Sequence, residues 1–251
     1  LVATGAALLA FRFLRPLQLS LRHRLRVASV TPAGPGTYHV EFTGRAIDRL
    51  GVRAGQYLHW RFLAPGLWWH QHPFSVSAVP AQGRLRITVR ELGAGTVALR
   101  QVRPGTPVAI EGPYGRFTDA ARTRSTVTLV GAGAGIAPLR AILEETGFEP
   151  GAATVVLRGS TPEGLVLADE MAELCRRRGA HLIELVGHRA GDRWVPADRP
   201  GLTLAELVPD VARGDLYVCG PDGFTASVVA DAAAAGVPSS RVHTEAFSYA
   251  A

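Results

Sequence analysis

Around Thr123 the rhythm of the sequence changes, and that change limits the folds open to the chain more than any single residue does. Before it, short apolar runs alternate with polar residues at period two. Turn signals cut them, among them Pro32-Ala-Gly-Pro-Gly36, Ala81-Gln-Gly83 and Pro104-Gly105. The spacing predicts strands over 24–29, 38–42, 57–62, 74–78, 85–90 and 108–111, with one short helix near 96–101. Six short strands of this kind predict a small antiparallel barrel. Past Thr123, apolar strands over 126–130, 154–157, 181–186, 216–219 and 241–244 alternate with helical patterns over 137–145, 165–178, 202–207 and 224–235. Strand alternating with helix means βαβ units, hence a five-stranded parallel sheet covered on both faces. The expected order is a truncated membrane-helix remnant and basic linker over 1–20, an antiparallel β-barrel domain over 21–121, and an α/β domain over 122–251.

At 251 residues, 47% hydrophobic and 19% charged, the chain is globular and long enough for two cores. Its net charge is +6, but Arg12, Arg15, Arg22, Arg24 and Arg26 all precede Val27 with no acid among them. The remainder is nearly neutral, which argues against a nucleic-acid surface spread over the fold. Cys175 and Cys219 show no disulfide framework and no metal-ligand spacing, so a reducing compartment is the default. Residues 1–11 are uncharged and mostly apolar, too few to cross a bilayer that needs about 20. With Met171 the only methionine, the chain reads as part of a longer protein. Its start reads as the end of a membrane helix, with the arginine cluster on the cytoplasmic side. The alternative is an amphipathic terminal helix packed on a soluble domain.

Three stretches carry chemistry. His72-Pro73-Phe74-Ser75-Val76-Ser77 reads as a strand with two unlike faces, opened by Pro73. In extended chain the His72 imidazole and the Ser75 hydroxyl reach two parts of one long ligand. Gly93-Ala-Gly-Thr96 precedes the short helix, with Thr96 expected as its N-cap and Arg90 nearby as a cation, which together suit a phosphate. Gly131-Ala-Gly133-Ala-Gly135-Ile-Ala-Pro138 is the first βα turn of the second half, where glycines let backbone amides approach a pyrophosphate at a helix N-terminus. Ile136 leaves the dinucleotide fingerprint incomplete. The next strand ends Arg158-Gly-Ser160 without the acid that reads a free ribose, so Arg158 and Ser160 suit a 2′-phosphate. Cys219-Gly220-Pro221 ends a later strand, at the edge where open α/β sheets bind ligands.

In this order, from about Arg24 to Phe247, these pieces resemble the ferredoxin–NADP reductase superfamily. The form His72-Pro73-Phe74-Ser75, in place of Arg-x-Tyr-Ser, resembles the dehydrogenase domain of membrane ferric reductases and NADPH oxidases. The resemblance implies that the barrel binds FAD: His72 at its pyrophosphate, Phe74 packed on the flavin, and Ser75 near N5. Pro73, Thr88, Arg90, Gly93, Gly95 and Thr96 complete the implied FAD contacts. Gly131, Gly133, Gly135 and Pro138 would hold the pyrophosphate of NADPH (or NADH), and Cys219, Gly220 and Pro221 would face its nicotinamide. Glu245 and Phe247 resemble a closing motif whose ring covers the flavin; with Ser75 and Cys219 they make the implied catalytic set. The implied activity passes a hydride from NAD(P)H to FAD and single electrons onward. The acceptor would be haem in a transmembrane domain of the parent protein, or another one-electron carrier, at the cytoplasmic face of the cell membrane. A soluble ferredoxin or flavodoxin reductase, or a flavin-free regulatory domain on the same fold, are the rival readings.

Overall fold

The structure, a computed structural model, describes residues 15–189 and 191–247. The chain divides into two compact units, Leu1–Gly115 and Arg116–Ala251.

The first unit begins with helix α1 (Arg15–His23), then β1 (Arg26–Gly34), β2 (Thr37–Thr43), β3 (Tyr57–Phe62), β4 (His72–Ser75), β5 (Arg84–Arg90), helix α2 (Ala94–Leu99) and β6 (Val108–Tyr114). The strands form two antiparallel three-stranded sheets, ordered β1-β2-β5 and β4-β3-β6. Single bridges Val76↔Ile87 and Arg26↔Pro107 carry the chain from one sheet to the other. Alternation decides what lies inside: along β3, Leu58, Trp60 and Phe62 are buried while Tyr57, His59 and Arg61 are half-exposed. Phe42 of β2 stacks on Trp60 of β3, ring centroids 4.4 Å apart, which locks the two sheets face to face.

Strand β4 starts two residues earlier than expected, with Pro73 inside it and paired with His59. β4 is an edge strand, so the missing amide of proline breaks no ladder. Helix α1 belongs to this unit: Leu19 packs on its core, His23 is buried with Nδ1 3.0 Å from the Arg45 carbonyl, and Ser20 Oγ accepts from the Ile110 amide. Residues 15–20, expected as linker, are therefore part of the folded unit. Residues 1–14 lie outside the described part. Among the described residues no helix is long and apolar enough to cross a membrane.

The second unit holds β7 (Val127–Ala132), α3 (Ile136–Glu145), β8 (Ala153–Gly159), α4 (Ala168–Arg178), β9 (His181–Val186), α5 (Leu204–Leu207), β10 (Asp215–Pro221), α6 (Asp222–Ala234) and β11 (Val242–Phe247). Its five strands are parallel in the order β11-β10-β7-β8-β9. The order reverses between β7 and β10, so their carboxyl ends flank the switch-point crevice where such sheets bind ligands. Strand β11 runs further than expected, since Glu245 and Phe247 pair in register with Cys219 and Pro221.

Candidate functional site

In the first unit the His72 stretch and the glycine turn come together. A Cβ at Gly95 would stand 3.0 Å from His72 Cε1, so any larger residue there would press on the imidazole, which lies against the first turn of α2. His72 also stacks on Phe74, centroids 5.9 Å apart. Its Nε2 is buried and has no partner, and the same holds for Ser75 Oγ on the same strand. Two orphaned polar atoms on one four-residue strand mark a site built for a ligand, because a buried group left unpaired costs about 1–3 kcal/mol. Burial first, and then neighbouring His70, hold the His72 pKa below its ordinary value. Half-buried Arg90 closes β5 with no carboxylate partner among the described residues.

Thr96 differs from expectation. The helix begins at Ala94, so Thr96 is its third residue, and its hydroxyl folds the loop by accepting from the amides of Leu92 (2.9 Å) and Gly93 (3.1 Å). The first-turn amides of α2 have no intrahelical acceptor and are the donors this turn offers. Thr88, buried, is joined to His39 Nδ1 at 3.0 Å, which makes it a support for the strand floor. Tyr38 was missed: its hydroxyl donates to the Thr96 carbonyl and pins the turn from β2. Burial, and next the nearby Glu91 carboxylate, push its pKa well up, so it stays a donor. The available signal was its inward place in the alternation with Val40 and Phe42, since a buried phenol needs a partner.

In the second unit, the turn from β7 into α3 lies directly against the end of β10. Gly131 pairs with Cys219, and a Cβ on Gly135 would stand 2.2 Å from the Cys219 carbonyl oxygen. Gly133 has φ 56°, a left-handed conformation that glycine adopts at no steric cost. A 3-10 turn (Gly133–Gly135) leads straight into α3 and no side chain caps either; the Ile136 amide bonds back to the Gly133 carbonyl and buried Pro138 has none, so the uncapped amides are those of the glycine turn itself. A Cβ on Gly220 would meet the Phe224 ring at 2.7 Å, so the Cys219-Gly220-Pro221 end of β10 packs closely against α6. Cys219 itself is fully buried, so what it presents to the glycine turn is its carbonyl; burial, then the nearby Glu245, push its thiol pKa up and keep it protonated.

Glu245 lines a crevice of about 540 Å³ with Arg116, Phe117, Ser240 and His243, and burial raises its pKa. Behind it, buried Asp215 accepts from the amides of Thr123 (2.9 Å) and Arg124 (2.6 Å) and meets His243 Nε2 at 2.9 Å. The side chain of Phe247 lies outside the described part.

Arg158 requires a correction. It is buried, 4% exposed, and its guanidinium donates to the carbonyls of Trp194 (2.8 Å), Gly187 (2.6 Å), Leu185 (3.3 Å) and Gly159. β8 lies inside the sheet, and an arginine at its end turns inward to tie β9 and the Trp194 loop together. Ser160 is exposed at the same strand end. The exposed cation nearby is Arg189, just past β9, close enough to Arg158 to lower its pKa after burial has done so. Arg189 is held by the carbonyls of Arg193 and Asp192, and its Nη1 would lie 3.6 Å from a Cβ at Gly223 in the first turn of α6. The rule that ligands gather at strand carboxyl ends pointed there as much as to Arg158.

Comparison with known proteins assigns both units. Residues 24–118 match the family model of an FAD-binding domain, and residues 129–230 that of the oxidoreductase NAD-binding domain. The flavohemoprotein of Xylella fastidiosa (strain Temecula1 / ATCC 700964) is 28% identical over 201 residues, covering 78% of this chain and 51% of the relative. The electron transfer subunit of dihydroorotate dehydrogenase B (NAD(+)) from Bacillus caldolyticus is 27% identical over 209 residues, 80% of this chain and 75% of the subunit. Among solved structures, the flavohem-like FAD/NAD binding domain of nitric oxide dioxygenase from Vibrio cholerae O1 biovar El Tor superposes with TM-score 0.72 at 25% identity, covering 89% of this chain and 98% of that one. Ferredoxin-NADP+ reductase from Plasmodium falciparum shares the fold, with TM-score 0.71 at 12% identity and coverage of 89% and 95%. The chain spans about half the length of the flavohemoproteins it matches.

Proposed function

Because this chain belongs to the ferredoxin–NADP reductase superfamily, we propose that its FAD-dependent oxidoreductase activity draws electrons from NADPH and serves a haem, or another one-electron acceptor, at the cytoplasmic face of a membrane. Bound FAD supplies the conversion of a two-electron hydride donor into single electrons. This chain's residues bind, orient and tune. His72 and Arg90, with the first-turn amides of α2, hold the FAD diphosphate. Ser75 Oγ hydrogen-bonds the flavin beside the position that receives the hydride. The amides of the Gly133–Gly135 turn that leads into α3 hold the nicotinamide nucleotide's pyrophosphate. Ser160 and Arg189 read its 2′-phosphate, because Arg158 is already committed inward.

The observation that carries this reading is the pair of buried, unpartnered atoms His72 Nε2 and Ser75 Oγ on one strand. The His-Pro-Phe-Ser form of that strand and the arginines between 12 and 26 support the ferric-reductase-like or NADPH-oxidase-like branch. A second reading, a soluble reductase for an acidic ferredoxin or flavodoxin, is favoured by the basic character of the first unit, which carries fourteen arginines against four carboxylates. The purified chain should be yellow, bleach on anaerobic addition of NADPH, and recover its colour with two equivalents of a one-electron oxidant such as ferricyanide. A colourless protein that takes up no FAD in a fluorescence titration would sink the reading and leave a flavin-free regulatory domain.

A further inference from the structure

The first unit carries a surface that flavin chemistry does not use. On α1, Leu17 and Leu21 are 55% and 61% exposed, and they line a groove of about 680 Å³ together with Leu63 from the turn after β3. The same turn continues into Trp68 and Trp69, 44% and 65% exposed and stacked on each other. Arg61 of β3 lines the groove and donates to the Trp68 carbonyl, so helix, groove and tryptophan pair form one continuous face.

That face has an unusual charge state. Arg24, Arg26 and Arg61 line the groove, and exposed Arg22 stands on α1 beside Leu21. Three of them are oriented by neutral carbonyls: Arg24 by Leu21, Arg26 by Gly105 and Arg61 by Trp68. None of the four has a carboxylate partner among the described residues, whereas elsewhere in the unit Arg84 pairs with Glu41 and Arg100 with Glu91. The one carboxylate lining the groove, Glu111, is engaged by the Tyr114 hydroxyl and by Gln71. The stretch that leads into α1, residues 1–14, has Arg12 as its only charge.

We propose that this face rests on an anionic lipid bilayer. Leu17, Leu21, Leu63 and the tryptophan pair enter the headgroup layer, and the four unpaired arginines lie against lipid phosphates. Aromatic rings with a polar edge favour that depth. Apolar side chains ringed by arginines bind such a surface in proportion to buried apolar area and opposite charge. The proposal rests on the membrane placement proposed above and not on the flavin chemistry: its failure would leave FAD binding and NADPH oxidation untouched.

The test uses the full chain and vesicles of phosphatidylcholine and phosphatidylserine in equal parts. Residues 1–14 can add lipid affinity of their own, so the decisive readout is local. Trp60 and Trp194 are buried, which leaves Trp68 and Trp69 as the tryptophans that lipid can reach. Vesicles containing brominated phosphatidylcholine should quench the chain's tryptophan fluorescence on binding. In co-sedimentation, Trp68→Ser with Trp69→Ser should weaken binding about tenfold. Arg22→Glu with Arg61→Glu should do the same, and pure phosphatidylcholine should bind the wild type poorly. NADPH oxidation with a soluble acceptor should stay at the wild-type rate in all these variants. Vesicle binding without quenching, or equal binding by the tryptophan variant, would overturn the proposal. Absence of vesicle binding together with tight capture by an acidic ferredoxin would overturn it in favour of a carrier-docking face.

Discussion

On the proposed reading, the two units hold their ligands by different means. The first is an antiparallel sheet pair with fourteen arginines against four carboxylates, and every strongly exposed large apolar side chain among the described residues belongs to it. The second is a parallel sheet with thirteen arginines against seventeen carboxylates and no large apolar side chain so exposed among its described residues. The FAD-binding unit offers side chains to its cofactor, two of them buried and unpartnered. To the pyrophosphate the NAD-binding unit offers backbone, from a turn so tight that a methyl group at Gly135 meets a carbonyl oxygen. Side-chain truncation should therefore damage the first site, and added bulk the second.

The largest effect expected from that contrast is at Gly135. A Cβ there overlaps the Cys219 carbonyl, and relief must come from backbone movement, at a cost of about 1–3 kcal/mol. Gly135→Ala should weaken NADP+ binding by about a hundredfold, while Gly147→Ala, where the added carbon meets open space, should bind like wild type. Equal binding by both variants would break the claim that this turn is the pyrophosphate cradle.

Next come the two arginines at the carboxyl edge of the parallel sheet. Arg158→Met leaves four carbonyls without their donor and should lower the melting temperature by several degrees with the NADPH/NADH preference unchanged. Arg189→Glu should leave melting nearly unchanged and reduce the kcat/KM ratio of NADPH over NADH about tenfold through repulsion of the 2′-phosphate. The reverse pattern would return the 2′-phosphate to Arg158.

The smallest effect is a pH dependence in the first unit. Burial and His70 hold the His72 pKa down in the ligand-free protein, and a diphosphate against Nε2 raises it. FAD binding then takes up protons between the two values. Affinity should fall a few-fold as pH rises from the free to the bound pKa, then level off. His72→Gln should flatten the profile; an unchanged slope in that variant would assign the proton to another group.

Much of this was legible in one dimension because it follows from periodicity. The change of rhythm at Thr123 marks where antiparallel pairing gives way to βαβ units, and the Gly131–Pro138 turn declares itself through glycines. Side-chain direction was not legible. Arg158 turns inward because Trp194, thirty-six positions on, places a carbonyl within 2.8 Å of it. Pro73 sits inside β4 because β4 is an edge, a property of the sheet and not of the strand. Thr96 was assigned to the helix cap when α2 starts two residues earlier, and its hydroxyl serves the loop behind it.

The division of labour between the units is tested most directly by anaerobic stopped-flow reduction with NADPH, in the presence of excess FAD, of Arg90→Ala and Gly135→Ala side by side. Arg90→Ala, expected to hold FAD about tenfold more weakly, should be reduced at the wild-type rate once saturated. Gly135→Ala should purify with its flavin and be reduced at least about a hundredfold more slowly at subsaturating NADPH. If Arg90→Ala stays slow when saturated with FAD, or Gly135→Ala loses its flavin, the two functions are not divided between side chains of one unit and backbone of the other.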